Sequence, residues 1–308
     1  MNRNYKHCDV YRHVWMTYLT LSISAVCLIV LSIPSCVTPQ PEDSSKMKIT
    51  DTSEVKKEIV PAELKDGFTD YSFAGGAYKA EWMTCQIKQS KGVVVVMHRD
   101  QYGFDRKEFC TGWIAQTFIA GGYDVITVNR PGYAGSTGSA DFAGPQSIAA
   151  IEAGVADVQK KNPAMKNIVG VWGYSTGAIA ASFFAKKHRD ISWLILGAGL
   201  YDLEDLDKST QSSVLKKEIG NVTKYYGAKG IEDRSIAFDM EGLPKKIQIY
   251  HGKLDNVVPQ QHVQNFRNAL ASGEFDVTLQ VIDGVSHEIP LANHRQILEV
   301  ILVSLSLK

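Results

Sequence analysis

Short apolar runs alternate with amphipathic stretches from about residue 80 to the end of the chain. The run 92–98, Gly-Val-Val-Val-Val-Met-His, is apolar at nearly every position, as in a strand covered on both faces of a sheet. Residues 107–120 instead place Phe109, Trp113 or Ile114, and Phe118 at helical spacing. The same criteria predict strands at 80–87, 92–98, 124–129, 167–172, 193–198, 246–251 and 276–282, and helices at 107–120, 148–158, 178–188, 260–271 and 291–307.

This order of elements predicts an α/β fold. Strands that are separated by helices pair in parallel through right-handed crossovers. We therefore expect a doubly wound, mostly parallel sheet flanked by helices. Residues 200–244 break the alternation, because they are polar, mixed in charge and show only short helical patterns. We expect them to form a small cap over the active site.

The first 66 residues differ from the rest of the chain. Three basic residues, Arg3, Lys6 and Arg12, precede an uncharged stretch at 14–33, the order typical of an export signal. An uncleaved signal anchor is the alternative, since about 20 apolar residues can span a bilayer. Residues 36–66 are rich in Pro, Ser, Thr, Lys and Glu and predict a polar tether.

The segment Ile33-Pro34-Ser35-Cys36 resembles the lipobox of bacterial lipoproteins. That resemblance implies a lipid on Cys36 and a membrane attachment through it. We therefore divide the chain into a signal peptide or anchor at 1–35, a tether at 36–66 and a domain at 67–308. Either form of attachment leaves the domain outside the cytoplasmic membrane, in a bacterial cell envelope.

A Gly-Tyr-Ser-Thr-Gly turn joins the strand 167–172 to the next helix and carries Ser175. A serine is a good nucleophile when it projects from a tight strand-to-helix turn toward a base. Gly173 lets the chain tighten before Ser175, and Gly177 lets the helix pack close to the strand. The free N–H groups at the start of that helix favour a developing negative charge. Ser175 is the candidate nucleophile.

Two later strands are each followed by a candidate partner for this serine. The strand 246–251 leads into His-Gly-Lys-Leu-Asp-Asn-Val-Val-Pro, which presents Asp255, and 276–282 leads into Asp-Gly-Val-Ser-His, which presents His287. Reactive residues of a doubly wound sheet gather at the carboxyl ends of its strands. Asp202 is an alternative acid, Asp283 reads as a turn former, and His294 is a weaker competitor for the base, since it lies in a helical stretch.

In chain order, Ser175, Asp255 and His287 match the triad of the α/β-hydrolases. The domain resembles that superfamily, especially its lysophospholipase-like esterases and prolyl-oligopeptidase-like serine peptidases. The resemblance implies that Ser175 attacks an acyl carbon, His287 carries the proton and Asp255 orients the imidazole. It also implies two backbone oxyanion donors, Thr176 and Asp100, with Arg99 as the alternative to Asp100.

The domain contains two cysteines, Cys85 on a predicted strand and Cys110 on a predicted helix. One internal disulfide is possible, but we expect two buried thiols. The histidines and cysteines show no metal-ligand spacing, so we expect no metal and no cofactor.

Composition narrows the possible partners. With 33 basic and 33 acidic residues the chain has no net charge, so nucleic acid is not an expected partner. We expect a small-molecule acyl substrate, and the sequence leaves the oligomeric state open.

Three functions remain in competition. The first is a cell-envelope serine hydrolase of carboxylic esters, and the second is a serine peptidase or aminopeptidase. Acidic residues of the cap would then hold a substrate amine, and the candidates are Glu204, Asp205, Glu232 and Asp233, although nearby lysines fit a solvated surface equally well. The third is a non-catalytic binding lipoprotein, against which the intact triad argues.

Overall fold

The computed structural model describes residues 59–100 and 103–306 of the protein. Within these ranges one sheet runs in the order β1-β2-β4-β3-β5-β6-β7-β8. The pairs β1–β2 and β2–β4 are antiparallel, and the other five pairs are parallel. The strands are β1 Glu63–Phe73, β2 Gly76–Gln86, β3 Val93–Met97, β4 Asp124–Val128, β5 Ile168–Tyr174, β6 Trp193–Gly197, β7 Lys246–Gly252 and β8 Asp276–Ile282.

Helices cover both faces of this sheet, which confirms the predicted α/β class. They are α1 Trp113–Ala120, α2 Pro145–Lys161, α3 Thr176–Lys187, α4 Leu203–Ser209, α5 Ser213–Glu232, α6 Gln260–Ser272 and α7 Leu291–Ser306. Short 3₁₀ turns lie at Phe109–Thr111, Pro163–Lys166 and Ile236–Phe238.

Strand β3 is apolar at every position and is buried on both faces of the sheet. Val93, Val95 and Met97 belong to the buried cluster that includes α2, α3 and α6 side chains. Val94 and Val96 belong to the cluster on the other face, with α1 and α7. Because successive side chains of a strand point to opposite faces, a strand buried on both sides has no polar position.

Strand β1 was not predicted from the sequence. It begins at Glu63, inside the segment 36–66 that we assigned to the tether, and pairs with β2 along its whole length. It lies at the edge of the sheet, and most of its residues are exposed or half-buried. An edge strand of this kind has no continuous apolar run, so the pattern that revealed β3 is missing.

The expectation of two free thiols is wrong, because Cys85 and Cys110 form a disulfide with 5.5 Å between their Cα atoms. The predicted helix 107–120 begins only at Trp113, and Cys110 lies in the 3₁₀ turn before it. That turn packs against β2 and places the two sulfur atoms together. Cys85 is fully buried and Cys110 nearly so.

The segment between β6 and β7, predicted as a cap, consists of α4, α5 and the 3₁₀ turn Ile236–Phe238. The helix α4 is capped by the Asp202 carboxylate, which accepts the N–H groups of Glu204 and Asp205 at 2.9 and 3.0 Å. Gly227 interrupts α5 with a φ of 66°.

The predicted signal segment 1–35, Cys36 and the first part of the tether lie outside the described residues. Among the helices that the structure does describe, none is long and apolar enough to cross a bilayer.

Candidate active site

Ser175 lies between the end of β5 and the first residue of α3. Its backbone has φ 54° and ψ −125°, a conformation that costs a non-glycine residue free energy. Its N–H donates to the carbonyl of Gly197 on β6 at 2.9 Å. The turn therefore holds the hydroxyl at the carboxyl edge of the parallel strands.

The two glycines of the turn allow close packing on both sides of Ser175. A Cβ on Gly173 would lie 2.3 Å from the carbonyl oxygen of Gly177. A Cβ on Gly177 would lie 2.5 Å from the Met97 carbonyl oxygen and 2.7 Å from that of His98. Since real Cβ atoms do not approach backbone oxygens this closely, Gly177 lets α3 start beside the end of β3, and Gly173 lets β5 pass close to the first turn of α3.

Ser175 and His287 are within hydrogen-bonding distance, with 3.0 Å between Oγ and Nε2. His287 follows β8 and is 8% exposed. The Tyr174 hydroxyl donates to the backbone carbonyl of His287. Burial raises the pKa of Tyr174, which keeps that donor protonated. Tyr174 thus fixes the loop that carries the imidazole.

Asp255 lies on the other side of the imidazole. Its Oδ2 accepts from His287 Nδ1 at 2.7 Å, and its Oδ1 accepts from the N–H groups of Val257 and Val258 at 2.9 and 2.8 Å. The carboxylate can only accept, so Nδ1 carries the proton and Nε2 presents its lone pair to the Ser175 hydroxyl. This is the arrangement that proton transfer from serine to histidine requires.

A second buried histidine braces the same loop. His251 Nε2 lies 3.0 Å from the carbonyl oxygen of Val258 and 3.6 Å from Asp255 Oδ2. Burial lowers the pKa of His251 to about 4, so the ring is neutral near pH 7 and donates to Val258. The His251 ring therefore adds no charge beside the Asp255 carboxylate.

The residues that could replace Asp255 as the acid or His287 as the base have other hydrogen-bond or ion-pair partners. Asp202 caps α4, as described above, and Asp283 pairs with Lys253 at 2.7 Å. His294 Nδ1 lies 3.1 Å from the Tyr250 hydroxyl. The structure thus brings Ser175, His287 and Asp255 together and leaves these three outside the hydrogen-bonded chain.

The two predicted oxyanion donors lie next to each other. Thr176 is the first residue of α3, so its N–H has no acceptor within the helix. The Asp100 N–H donates to the Thr176 hydroxyl at 2.7 Å. That N–H is therefore engaged in this structure, and its role toward a substrate stays a prediction, as does that of Arg99.

A buried arginine, which the sequence reasoning missed, holds the Asp100 side chain. Arg130 is 1% exposed, and its Nη2 donates to Asp100 Oδ1 at 2.8 Å and to the His98 carbonyl at 3.0 Å. The Tyr133 hydroxyl donates to the same Oδ1 at 2.8 Å. The guanidinium balances a carboxylate that would otherwise oppose a developing anion nearby.

An open cavity of about 670 Å³ lies over Ser175 and His287. Its roof is formed by α5, the central helix of the predicted cap, through side chains that include Leu215, Glu218 and Val222. A cavity of this size is in the range of small-molecule sites. Within the described residues, no group of three or more His, Cys, Asp or Glu side chains is placed to hold a metal ion.

Residues 79–235, just over half of the chain, match the sequence model of the X-Pro dipeptidyl-peptidase (S15) family. Together with the fold, this match makes the protein a serine hydrolase of the α/β-hydrolase superfamily. Within that class the chain belongs to the S15 family. No curated protein matches the sequence.

Solved structures share the fold at low identity. An esterase of Pyrococcus furiosus is 17% identical with a TM-score of 0.60, over 80% of this chain and 90% of that chain. An acylaminoacyl peptidase of Pyrococcus horikoshii is 14% identical with a TM-score of 0.62, over 81% of this chain and 42% of that one. A lidless serine hydrolase of Xanthomonas campestris is 17% identical with a TM-score of 0.51, over 79% and 95%.

The close packing of Gly177 predicts a large cost for a single methyl group. We expect Gly177→Ala to lower the free energy of unfolding by about 2 kcal/mol or more, because α3 must move away from β3. Gly220→Ala is the matched control, since nothing lies within 4 Å of its Cβ position in α5. It should be neutral or stabilising by up to about 1 kcal/mol. Urea unfolding of both variants measures this, and equal stabilities would contradict the packing argument.

Proposed function

We propose that the protein hydrolyses carboxylic esters through an acyl-enzyme formed on Ser175. The observation that carries the proposal is the hydrogen-bonded chain from Ser175 through His287 to Asp255 at the carboxyl edge of the sheet. The matching family is one of peptidases, and the structural neighbours include an esterase and a peptidase. Both findings support acyl transfer as the chemistry.

The proposed reaction has two halves. In the first, Ser175 Oγ attacks the ester carbonyl carbon while His287 Nε2 accepts the hydroxyl proton. The tetrahedral intermediate collapses, the carbon–oxygen bond to the leaving group breaks, and the imidazolium gives its proton to the departing alcohol. In the second half water replaces the alcohol, and the same proton transfers release the carboxylic acid and the free serine.

Asp255 acts through His287 in both halves. The carboxylate keeps the imidazole proton on Nδ1 and stabilises the imidazolium that forms at each proton transfer. Its second oxygen accepts from two backbone N–H groups, which fix the direction of the carboxylate.

The proposed oxyanion site uses the N–H of Thr176 and the N–H of Asp100. The N-terminus of α3 contributes its positive end to the same place. In the free protein the Thr176 hydroxyl occupies the Asp100 donor at 2.7 Å. A substrate oxyanion would take over that donor, while Arg130 keeps the Asp100 carboxylate neutralised.

We also propose that the domain works in the cell envelope, attached to a membrane. The support is the basic-then-apolar order at 1–35 and the Ile-Pro-Ser-Cys segment that ends at Cys36. Its partners there are a small acyl substrate and the membrane lipid, with no nucleic acid and no cofactor.

Replacing the nucleophile tests the mechanism. We expect Ser175→Ala to lose covalent labelling by a fluorophosphonate and to lower ester turnover by about ten-thousand-fold or more. Ser182→Ala is the matched control, because Ser182 is fully buried on the same helix and its hydroxyl has no hydrogen-bond partner among the described residues. It should label like the wild type. Labelling of a folded Ser175→Ala protein at another residue would overturn the assignment.

The attachment is tested in bacterial cells that express the full chain and are supplied with a labelled fatty acid. We expect Cys36→Ala to remove the lipid, measured by incorporation of a labelled fatty acid, because a diacylglycerol needs that thiol. Cys27→Ala, inside the apolar stretch, should retain it. Equal fatty-acid incorporation in the two variants would exclude Cys36 as the lipid site.

A second candidate function is cleavage of peptides with a free amino terminus. The four cap acids named from the sequence do not support it, because each has another partner: Glu204 pairs with Lys208, Asp205 with His262, and Glu232 and Asp233 with Lys229. None of them lines the cavity over Ser175.

The carboxylate of Glu218 favours cleavage of peptides with a free amino terminus. Glu218 lies on α5, lines the cavity over Ser175 and is half-buried, with no ion-pair partner among the described residues. The other acids of the lining are engaged: Asp100 with Arg130, Glu288 with Arg99, and Asp141 with the N-terminus of α2. Glu218 is therefore the acid of this lining that can pair with a substrate ammonium group.

A comparison of an aminoacyl nitroanilide with its N-acetylated form distinguishes ester hydrolysis from peptide cleavage. Ester hydrolysis predicts that an aminoacyl nitroanilide and its N-acetylated form react equally slowly, and that aryl esters react faster. Peptidase activity predicts a preference for the free amine of about tenfold to a hundredfold, which Glu218→Gln removes. Glu204→Gln is the control, since Glu204 lies outside the cavity. A free-amine preference that depends on Glu218 would replace the ester proposal.

A further inference from the structure

A second cavity, of about 340 Å³, borders the active site and has no role in the chemistry described so far. It lies on the face of the sheet covered by α1 and α7. The ion pair of Arg99 and Glu288, with 2.6 Å between Nη1 and Oε1, lines both this cavity and the cavity over Ser175. The second cavity thus borders the cavity over Ser175, and this ion pair forms part of the wall of both.

The lining of this cavity is mainly aromatic. Trp172 and Tyr174 come from β5, directly before Ser175, and their rings are parallel within 9°. Trp113 of α1 meets Trp172 edge to face at 6.0 Å. Rings arranged in this way suit an aromatic guest by stacking and edge contacts. The other apolar side chains of the lining are Ile114, Ile289, Leu291 and Phe104.

Among the described residues, the Nε2 atom of His294 in this lining has no hydrogen-bond partner. His294 is 6% exposed and lines the cavity, and its only hydrogen bond among the described residues joins Nδ1 to the Tyr250 hydroxyl at 3.1 Å. That hydroxyl accepts from Trp172 Nε1 at 3.1 Å, so its own proton goes to Nδ1. The neutral ring then carries its proton on Nε2, as a donor without an acceptor.

Charge also limits what this cavity can hold. Arg99 and Glu288 compensate each other, and burial lowers the pKa of His294 to about 3, so the ring is neutral near pH 7. A charged group would lose its hydration there without gaining an opposite charge. An apolar cavity of about 150 Å³ binds benzene, so 340 Å³ has room for a substituted ring on a short chain.

We propose that this cavity binds the distal part of the acyl group whose carbonyl carbon reacts at Ser175. The substrate class is then an ester of an uncharged aryl-alkanoic acid whose ring carries a hydrogen-bond acceptor for His294 Nε2. This inference rests on the proposed ester hydrolysis and names its substrate.

The test compares methyl esters by acid release at constant pH, so that the leaving group is always methanol. The substrates are methyl butanoate and the methyl esters of phenylpropanoic acids with a methoxy or an isosteric ethyl group at the para or meta position. For the wild type we expect kcat/KM to be about 30-fold higher for the methoxy aryl ester than for butanoate, from burial of the ring. The better methoxy isomer should exceed its ethyl analogue about fivefold, from one hydrogen bond.

Filling the cavity should remove the ring preference. Leu291 lines it at the start of α7, and we expect Leu291→Trp to lower the ratio of aryl ester to butanoate at least tenfold. Val300→Trp is the matched control, because Val300 lies on the same helix, is also 41% exposed and does not line the cavity. It should keep the wild-type ratio. Ile114→Phe provides a second filling variant if the first does not fold.

Two substitutions of His294 separate its role as a donor to the substrate from its contact with Tyr250. The amide introduced by His294→Asn can keep an acceptor for the Tyr250 hydroxyl but is too short to place a donor where Nε2 lies. The longer amide introduced by His294→Gln can restore that donor. We expect the methoxy preference to be lost in His294→Asn and retained in His294→Gln.

The outcomes distinguish the aryl-binding proposal from the ester hydrolysis on which it rests. Hydrolysis of butanoate without an aryl preference, or an unchanged ratio in the filled variants, would overturn the aryl-binding proposal and leave ester hydrolysis intact. A methoxy preference that is unaffected by either His294 substitution would exclude His294 as the donor. Failure of every ester, together with no fluorophosphonate labelling of Ser175, would remove the proposed function itself.

Discussion

The close contact between the start of α3 and the end of β3 is the constraint on which the active site depends. Gly177 lies where a methyl group would meet the carbonyl oxygens of Met97 and His98. This proximity brings the free N–H of Thr176 beside the loop that follows β3, where the Asp100 N–H reaches the Thr176 hydroxyl. Ser175, directly before α3, has a positive φ, and its hydroxyl lies within hydrogen-bonding distance of His287.

Parallel pairing supplies the remaining residues. β5, β6, β7 and β8 are neighbours in the sheet and run in one direction, so the loops after β7 and β8 open at the edge where β5 ends. Asp255 and His287 lie on these two loops. Tyr174 then ties the His287 loop back to β5 through a backbone carbonyl, so the strand that presents the serine also positions the histidine.

The sequence predicted the parts of this site that follow from strand order. Apolar runs marked the parallel strands, and the residues after them were correctly expected to meet, as the distances between Ser175, His287 and Asp255 show. The polar edge strand β1 left no such pattern. The disulfide was missed because Cys110 was placed on a helix, whereas it lies in a 3₁₀ turn against β2. Arg130, Glu218 and the aromatic cavity depend on side-chain packing between distant elements, which periodicity does not report.

We propose that Ser175, His287 and the start of α3 form one acyl-transfer site. A crystal structure of the protein after reaction with a small fluorophosphonate tests this most directly, because the phosphonyl oxygen takes the place of the substrate oxyanion. We expect phosphorus bonded to Ser175 Oγ, with its oxygen about 2.7–3.1 Å from the N–H groups of Thr176 and Asp100. Phosphorus on another side chain, or an oxygen directed away from α3, would contradict it.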